Sequence, residues 1–243
     1  MYDPEILDLS SEAEKCRRYY DIQYSKPHSY WGDQPNLLVP LVSSHLAPNS
    51  RVLVVGCGEG RDAIFLARLD FEVVATDVSA NGLKRAMEII SGEDHRLELF
   101  LLDAHEPHDY LGRFDAVLMM NVIQHLKTGS ISERIEHFKS LVAPGGIFSA
   151  QLFTVEDPQY AEFAHSSGQS KRSLTIVHPE RKYRLRFFEK GELSSYFDGW
   201  EMIYYHEGLI WDKPHGRQAE FHQHGIAQMI AQKKADQKRY RLT

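Results

Sequence analysis

From Val52 to Val55 the chain runs four aliphatic residues into glycines at 56, 58 and 60 and then into the amphipathic stretch Arg61–Leu69. A strand that is apolar at consecutive positions is buried on both faces, and such strands belong to parallel sheets covered by helices on both sides. The feature therefore predicts an α/β domain, and the rest of the chain follows the same rhythm. Strand-like runs recur at Phe71–Thr76, Leu97–Leu102, Phe114–Met120 and Gly146–Phe153, with helical patterns over Ala80–Ile90 and Ser132–Val142 between them. Alternation of this kind predicts a doubly wound sheet with crossover helices. Ser79 is placed to cap the second helix and Pro144-Gly145-Gly146 to stop the third.

The remainder is arranged around this core as one domain. Residues 1–48 are expected to form two helices, Glu5–Tyr20 and Asn36–Leu46, separated by the aromatic stretch Tyr24–Trp31 and leaning on the core as a lid. Residues 49–153 are the expected ligand-binding half. In 154–232 the rhythm breaks: Thr154–Lys190 is polar and longer than ordinary α/β connections, which marks a functional insertion. A helix over Glu189–Phe197 and strands at Trp200–His206 and Phe221–Gln232 follow, and residues 233–243 form a basic tail expected to fray.

Composition narrows the function classes. With 28 basic against 34 acidic side chains the formal net charge is −6, which disfavours nucleic acid as a partner because phosphate neutralisation needs a concentrated basic face. The only cysteines, Cys16 and Cys57, can build neither a disulfide framework nor a cysteine zinc cluster. No run approaches the roughly 18 apolar residues of a membrane span, and Asp3, Glu5 and Asp8 stand where a signal peptide is basic and then apolar. A cytoplasmic protein without a membrane partner is expected, and its oligomeric state is left open.

Glycines after a buried strand let a ligand approach the backbone, and the following helix offers unpaired N–H groups to it. Two ligands compete for such a loop. A dinucleotide requires glycines at 56, 58 and 61, but position 61 is Arg, whose bulk obstructs the pyrophosphate. The observed G-x-G-x-G suits a nucleoside without pyrophosphate, such as S-adenosylmethionine. Asp77 ends the second strand, where a carboxylate can take both ribose hydroxyls, and Asp103-Ala104 ends the third, where an acid followed by a small residue can meet the adenine edge.

These segments, with Val54–Arg61 (VVGCGEGR), Phe114–Leu118 (FDAVL) and Leu141–Gly146 (LVAPGG), resemble the motifs of class I S-adenosylmethionine-dependent methyltransferases over roughly Tyr30 to Ala231. Within that superfamily, Tyr30–Asn36 (YWGDQPN), Gly58–Ala63 (GEGRDA), Phe188–Leu193 (FEKGEL) and Trp200-Glu201 resemble the tellurite-resistance and thiopurine-methyltransferase-like group. The resemblance implies a Rossmann-like seven-stranded, mostly parallel sheet with the last strand antiparallel, and S-adenosylmethionine laid over Gly56, Cys57, Gly58, Gly60, Asp77, Val78, Asp103 and Ala104. It also implies functional His and Arg residues near the last strands. There this chain departs from the group, reading Glu207–Arg217 (EGLIWDKPHGR) and then His222-Gln223-His224.

Each candidate has a plainer role beside it. Asp77 can cap a helix, although Ser79 already fills that place, and Asp103 can be a loop carboxylate. Arg61 in a first helical turn opposes the helix dipole, so it needs an anionic ligand or a neighbour such as Glu59 or Asp62. Trp31 and the tyrosines around it can pack, or can cover a sulfonium, which aromatic faces attract. Asn121 and His125 follow the fourth strand, beside the expected acceptor. The cluster Lys171, Arg172, Arg181, Lys182, Arg184, Arg186 and Lys190 is either a solvated strand face or a cationic rim for an anionic acceptor. His215, Arg217, His222 and His224 are the expected acceptor-side catalytic residues. His222 and His224 share a strand face at metal-ligand spacing, but no carboxylate or cysteine arrangement completes a site, so no metal is expected. The expected activity is methyl transfer to a small-molecule acceptor, at sulfur or a heavier chalcogen ahead of oxygen. The alternative is a binding or regulatory protein that keeps the cofactor fold without turnover.

Overall fold

The computed structural model describes residues 12–166, 173–178, 181–215 and 220–235. Two helices, α1 (Glu12–Tyr24) and α2 (Leu38–Ser44), precede β1 (Arg51–Val55), α3 (Arg61–Ala67), β2 (Glu72–Asp77), α4 (Ala80–Ile90) and β3 (Leu97–Leu101). The winding then restarts with β4 (Phe114–Met120), α5 (Ile131–Leu141) and β5 (Val142–Phe153). Helix α6 (Pro158–Ser166), a ribbon of β6 (Thr175–Val177) and β7 (Arg184–Arg186), the short α7 (Glu192–Ser195), and the long strands β8 (Glu201–Asp212) and β9 (His222–Gln232) follow among the described residues.

The main sheet has the order β3-β2-β1-β4-β5-β9-β8. β1 pairs in parallel with β2 and with β4, Val54 lying opposite Ala75 on one side and Leu118 on the other. β9 alone runs against the rest, antiparallel to both β5 and β8. This is the doubly wound, seven-stranded architecture expected from the alternation. Residues of opposite parity along the strands feed two cores. Leu53, Val117, Met119 and Phe148 pack with Ile135 and Phe138 of α5, while Val52, Val54, Ala116 and Leu118 pack with Val39 and Val42 of α2 and Leu66 of α3. A third cluster joins Tyr19 of α1 to Phe163 of α6 and to Ile176, Tyr183 and Leu185 of the ribbon, so α1 and the late insertion close over the sheet together.

Several boundaries differ from the sequence reading. α1 continues through Tyr24, because the aromatic residues there pack inward on the helix rather than forming a linker. The insertion Thr154–Lys190 contains α6 and the β6–β7 ribbon. The helix expected over Glu189–Phe197 shortens to four residues, starting after Gly191 in the left-handed conformation. β5 begins at Val142 and runs through Pro144–Gly146, with a register shift against β4 between Phe114 and Ala116. β8 extends six residues past His206, and its last pairs set Trp211 opposite Gln223 and Asp212 opposite His222. That extension aligns the end of β8 with the histidines of β9, which local sequence does not show.

Strand order reverses between β1 and β4, and in open α/β sheets ligands bind outside the carboxyl ends at that point. The loops after β1, β2, β3 and β4 therefore frame the candidate site, with α1 above them.

Candidate active site

Gly56, Gly58 and Gly60 all have positive φ, at 66°, 57° and 88°. A side chain on Gly58 would put its Cβ 2.8 Å from the Tyr24 hydroxyl, one on Gly60 would put it 2.6 Å from Ala86 Cβ, and one on Gly56 would run into Val122. The loop is thus both strained for any other residue and closely packed. Asp77 holds its shape: one carboxylate oxygen accepts the Gly58 N–H at 2.7 Å and the other the Ser79 N–H at 2.8 Å. Burial outweighs these bonds and raises the Asp77 carboxyl to about 6. The α4 cap belongs to Ser79, whose hydroxyl accepts the Gly82 N–H at 3.0 Å, so Asp77 is left to the loop and the cleft.

Two cavities meet over this loop and share Gly56, Asp77, Val78 and Val122. One continues past Cys57, Gly58 and Arg61 to Trp31, Tyr24 and Asn121. The other continues past Leu102, Asp103, Ala104 and His105 beneath Cys16 and Arg17 of α1. The second suits a flat base with a polar edge, the first a zwitterionic tail, and Asp77 lies at their junction, where a ribose would sit. His105 donates to Asp103 from its backbone at 2.9 Å and from its ring at 2.8 Å, and despite burial these bonds hold the Asp103 carboxyl below its usual range.

The acids of the glycine loop also fasten the segment before α2. Glu59 accepts the Tyr30 N–H at 2.7 Å and the Ser29 hydroxyl at 2.9 Å, and pairs with Arg85 at 3.0 Å. Asp62 accepts the Asn36 N–H at 2.7 Å. Arg61, anticipated to need an anionic neighbour, lies 3.8 Å from Asp62 and donates to the Trp31 carbonyl at 3.1 Å. Trp31 in turn donates its indole N–H to Tyr24 at 3.1 Å and lines the cleft. Asn121, at φ 59°, is set by Gln151, which donates to its amide oxygen at 3.1 Å.

Residues 53–148 match a methyltransferase domain family. That span runs from β1 into β5 and holds the glycine loop, Asp77 and Asn121. It is similar to the probable S-adenosyl-L-methionine-dependent methyltransferase TehB of Haemophilus influenzae, 22% identical over 65% of this chain and 49% of that one. The crystal structure of that TehB superposes with a TM-score of 0.63 at 18% identity, covering 90% of this chain and 67% of that chain. A carboxy-S-adenosyl-L-methionine synthase of Campylobacter fetus is 27% identical over 63% of this chain and 69% of its own length. A probable thiol methyltransferase of Arabidopsis thaliana is 24% identical over 52% of this chain and 56% of its own length. The chain thus spans about half to two thirds of these curated relatives. S-Adenosylmethionine fits the residues present: a cradle that any Cβ would fill, and a carboxylate at the junction of two clefts.

Beyond Trp31 and Asn121 the cleft opens into a larger cavity between α1, the insertion and the β8–β9 end. Arg181 projects into it, its guanidinium 5.0 Å from the Tyr19 ring centre and donating to the Tyr183 hydroxyl at 3.1 Å. Among the described residues Arg181 makes no ion pair with a carboxylate, and the phenols around it hold its guanidinium firmly protonated against the opposing effect of burial. Burial pushes the Tyr183 hydroxyl up to about 12, and the Tyr20 hydroxyl upward as well. His125, enclosed by Tyr20 and Tyr183, is lowered to about 3 by burial first and by Arg181 second. The cavity therefore sets one guanidinium among phenols, with the Glu162 carboxylate also on its lining.

His215, His222 and His224 come together at the far end of this cavity, and Arg217 lies outside the described residues. The expectation that no carboxylate accompanies the histidines is corrected: Asp212 lies 3.1 Å from His215 and Asp157 lies 2.9 Å from His224. The rim of basic residues is divided likewise. Arg181 faces the cavity, whereas Arg186 is buried against Glu192, and Lys171 and Arg172 lie outside the described residues. Sequence reasoning missed Asp157, Asp212 and Tyr183. Only Asp157 left a trace, as an Asp-Pro pair at the start of a helix.

Proposed function

We propose that this protein is an S-adenosylmethionine-dependent methyltransferase of the class I type and transfers a methyl group to the sulfur, or to a heavier chalcogen, of a small anionic acceptor in the cytoplasm. S-Adenosylmethionine supplies a sulfonium methyl group when bound. In-line transfer of that methyl group would join it to an acceptor lone pair as its bond to the sulfonium breaks, and the neutral thioether released would need no acid from the protein. The observation that carries this reading is Arg181, a guanidinium without a described carboxylate partner, set among tyrosines at the wall of the second cavity. Arg181 neutralises the acceptor, the phenols donate to it, and Trp31 and Asn121 stand where the two cavities join. A histidine lowered to about 3 is a poor general base near neutral pH. The site thus favours an acceptor that is already anionic or polarizable, for which alignment supplies much of the acceleration. His215 and His224 line the far wall in this reading.

Turnover with a panel of small thiols, selenols, chalcogen oxyanions and catechols, read by release of S-adenosylhomocysteine and product mass, tests this. Methylated sulfur or heavier-chalcogen products are expected. Products methylated only on oxygen would overturn the acceptor class, and cofactor binding without turnover on any acceptor would leave the non-catalytic alternative in its place.

The cofactor half carries its own predictions. Asp77→Ala is expected to weaken S-adenosylhomocysteine binding by about 1.5–3 kcal/mol, the range for hydrogen bonds to a charged group. With the Asp77 carboxyl near 6, affinity is expected to hold above neutrality and to fall by up to about tenfold per pH unit below pH 6. The sign for stability is the opposite. A carboxyl raised on folding contributes stability at low pH that is lost as pH rises through 6, so Asp77 stabilises the ligand-free protein on acidification. Calorimetry from pH 5 to 8 on the wild type and Asp77→Asn checks both, because the Asn variant should lack the step.

A further inference from the structure

We propose that the β8–β9 end binds a divalent transition metal of the zinc class through the Nε2 atoms of His215, His222 and His224 and the carboxylate of Asp212. The groups around the rings fix which nitrogens carry protons. Asp157 is buried and acts as an acceptor throughout: Oδ1 takes the Gln159 N–H at 2.8 Å and Oδ2 takes the Gly225 N–H at 3.1 Å. His224 Nδ1, 2.9 Å from the same Oδ2, is therefore the donor of that pair. His222 Nδ1 lies 3.0 Å from the Glu220 carbonyl oxygen, which can only accept, so it too carries its proton. A neutral imidazole has one N–H, and the other nitrogen is an acceptor. The Nε2 atoms of His222 and His224 consequently present lone pairs to each other across 3.0 Å.

His215 adds a third nitrogen to the same point, its Nε2 lying 3.2 Å from His222 Nε2 and 3.1 Å from Asp212 Oδ2. A proton on His222 Nε2 can be directed at one neighbouring imidazole at a time and leaves the other facing a donor atom without a donor hydrogen. A cation placed among them satisfies every lone pair at once. The donor atoms of Asp212, His215, His222 and His224 all lie within 4.8 Å of one another. Metal–ligand bonds of about 2.0–2.2 Å in a tetrahedral zinc site put the donors about 3.3–3.6 Å apart, so small adjustments bring these four into place. Three imidazoles and a carboxylate without thiolate match the nitrogen and oxygen preference of zinc and its neighbours.

The outer contacts have the form that orients ligands in metal sites, a carboxylate on one histidine and a backbone carbonyl on another. Asp157 also ties the site to the fold, because it opens α6 while holding His224 and Gly225 of β9. The site bounds the acceptor cavity, and the His215 ring lies 4.8 Å from that of Trp31. The metal would therefore link the last strands to the segment that covers the cofactor cleft.

The test uses the full chain, stripped with a chelator and titrated with Zn2+ by calorimetry, and with Co2+ followed by its visible absorption. One Zn2+ per chain with submicromolar affinity, and the intense bands of tetrahedral Co2+, are expected. His222→Ala, at the half-buried edge of the cluster, should lower the affinity at least 100-fold and abolish the Co2+ bands, and Asp157→Asn should lower it about 10–100-fold. S-Adenosylhomocysteine binding, measured on each protein, shows that it is folded. If a variant loses that binding, stoichiometry and the Co2+ spectrum of the wild type decide. A folded wild type that takes up no Zn2+, or takes it up no more tightly than folded His222→Ala, overturns the proposal. None of these readouts depends on turnover, so the result stands apart from the identity of the acceptor.

Discussion

Arg181→Ala is expected to lose about 10²–10³-fold in kcat/KM for an anionic acceptor, the range for removing one preorganised donor from a developing or resident negative charge. Its affinity for S-adenosylhomocysteine should stay within a few-fold, because Arg181 lines the second cavity and neither of the clefts over the glycine loop. Arg181→Lys keeps the charge but loses the planar group that lies over Tyr19 and bonds Tyr183, so it should recover part of the loss. The wild-type reaction should slow as salt rises, and the Ala variant should lose that dependence. The melting temperature, read alongside, separates a missing charge from a loosened tyrosine cluster. A folded Ala variant that turns over the anionic acceptor as fast as the wild type removes Arg181 from the acceptor site.

The largest stability effect is expected at Gly225. Its N–H donates to Asp157 and its carbonyl accepts the Thr154 N–H at 2.8 Å, so the start of α6 lies directly on β9. A Cβ there would fall among the backbone atoms of Glu156 and Asp157, which cannot step aside as a flexible side chain would. Overpacking against a core commonly costs about 1–3 kcal/mol, and a backbone obstacle places Gly225→Ala at about 3 kcal/mol or more. In a chain of this size that lowers the melting temperature by roughly 6–12 °C. Gly129→Ala serves as the control, since nothing lies within 4 Å of its added carbon, and it should stay within about 2 °C of the wild type. Equal melting temperatures for the two variants would mean that the α6 start does not rest on β9.

The sequence by itself determined the sheet and the glycine loop beside Asp77. Buried parallel strands need apolar residues at consecutive positions, and a loop approached closely by a ligand needs glycine; both demands are local, so Val52–Gly60 and Asp77 state them within a short window. The same locality explains the boundary errors. The end of β8 over Glu207–Asp212 carries a glycine and acids that read as loop, and only its pairing with His222–Ala227 makes it strand.

The second cavity was decided by tertiary structure. Tyr19 and Tyr20 come from α1 and Arg181 and Tyr183 from the β6–β7 ribbon, Tyr20 and Tyr183 bonding across 163 positions. Asp157 reaches His224 across 67 positions, and Asp212 meets the histidines through strand register. Carboxylates and imidazoles have no periodicity that marks them as partners. Their chemistry arises from which lone pairs face one another, and that is set by the packing of α6 on β9 and of β8 beside it.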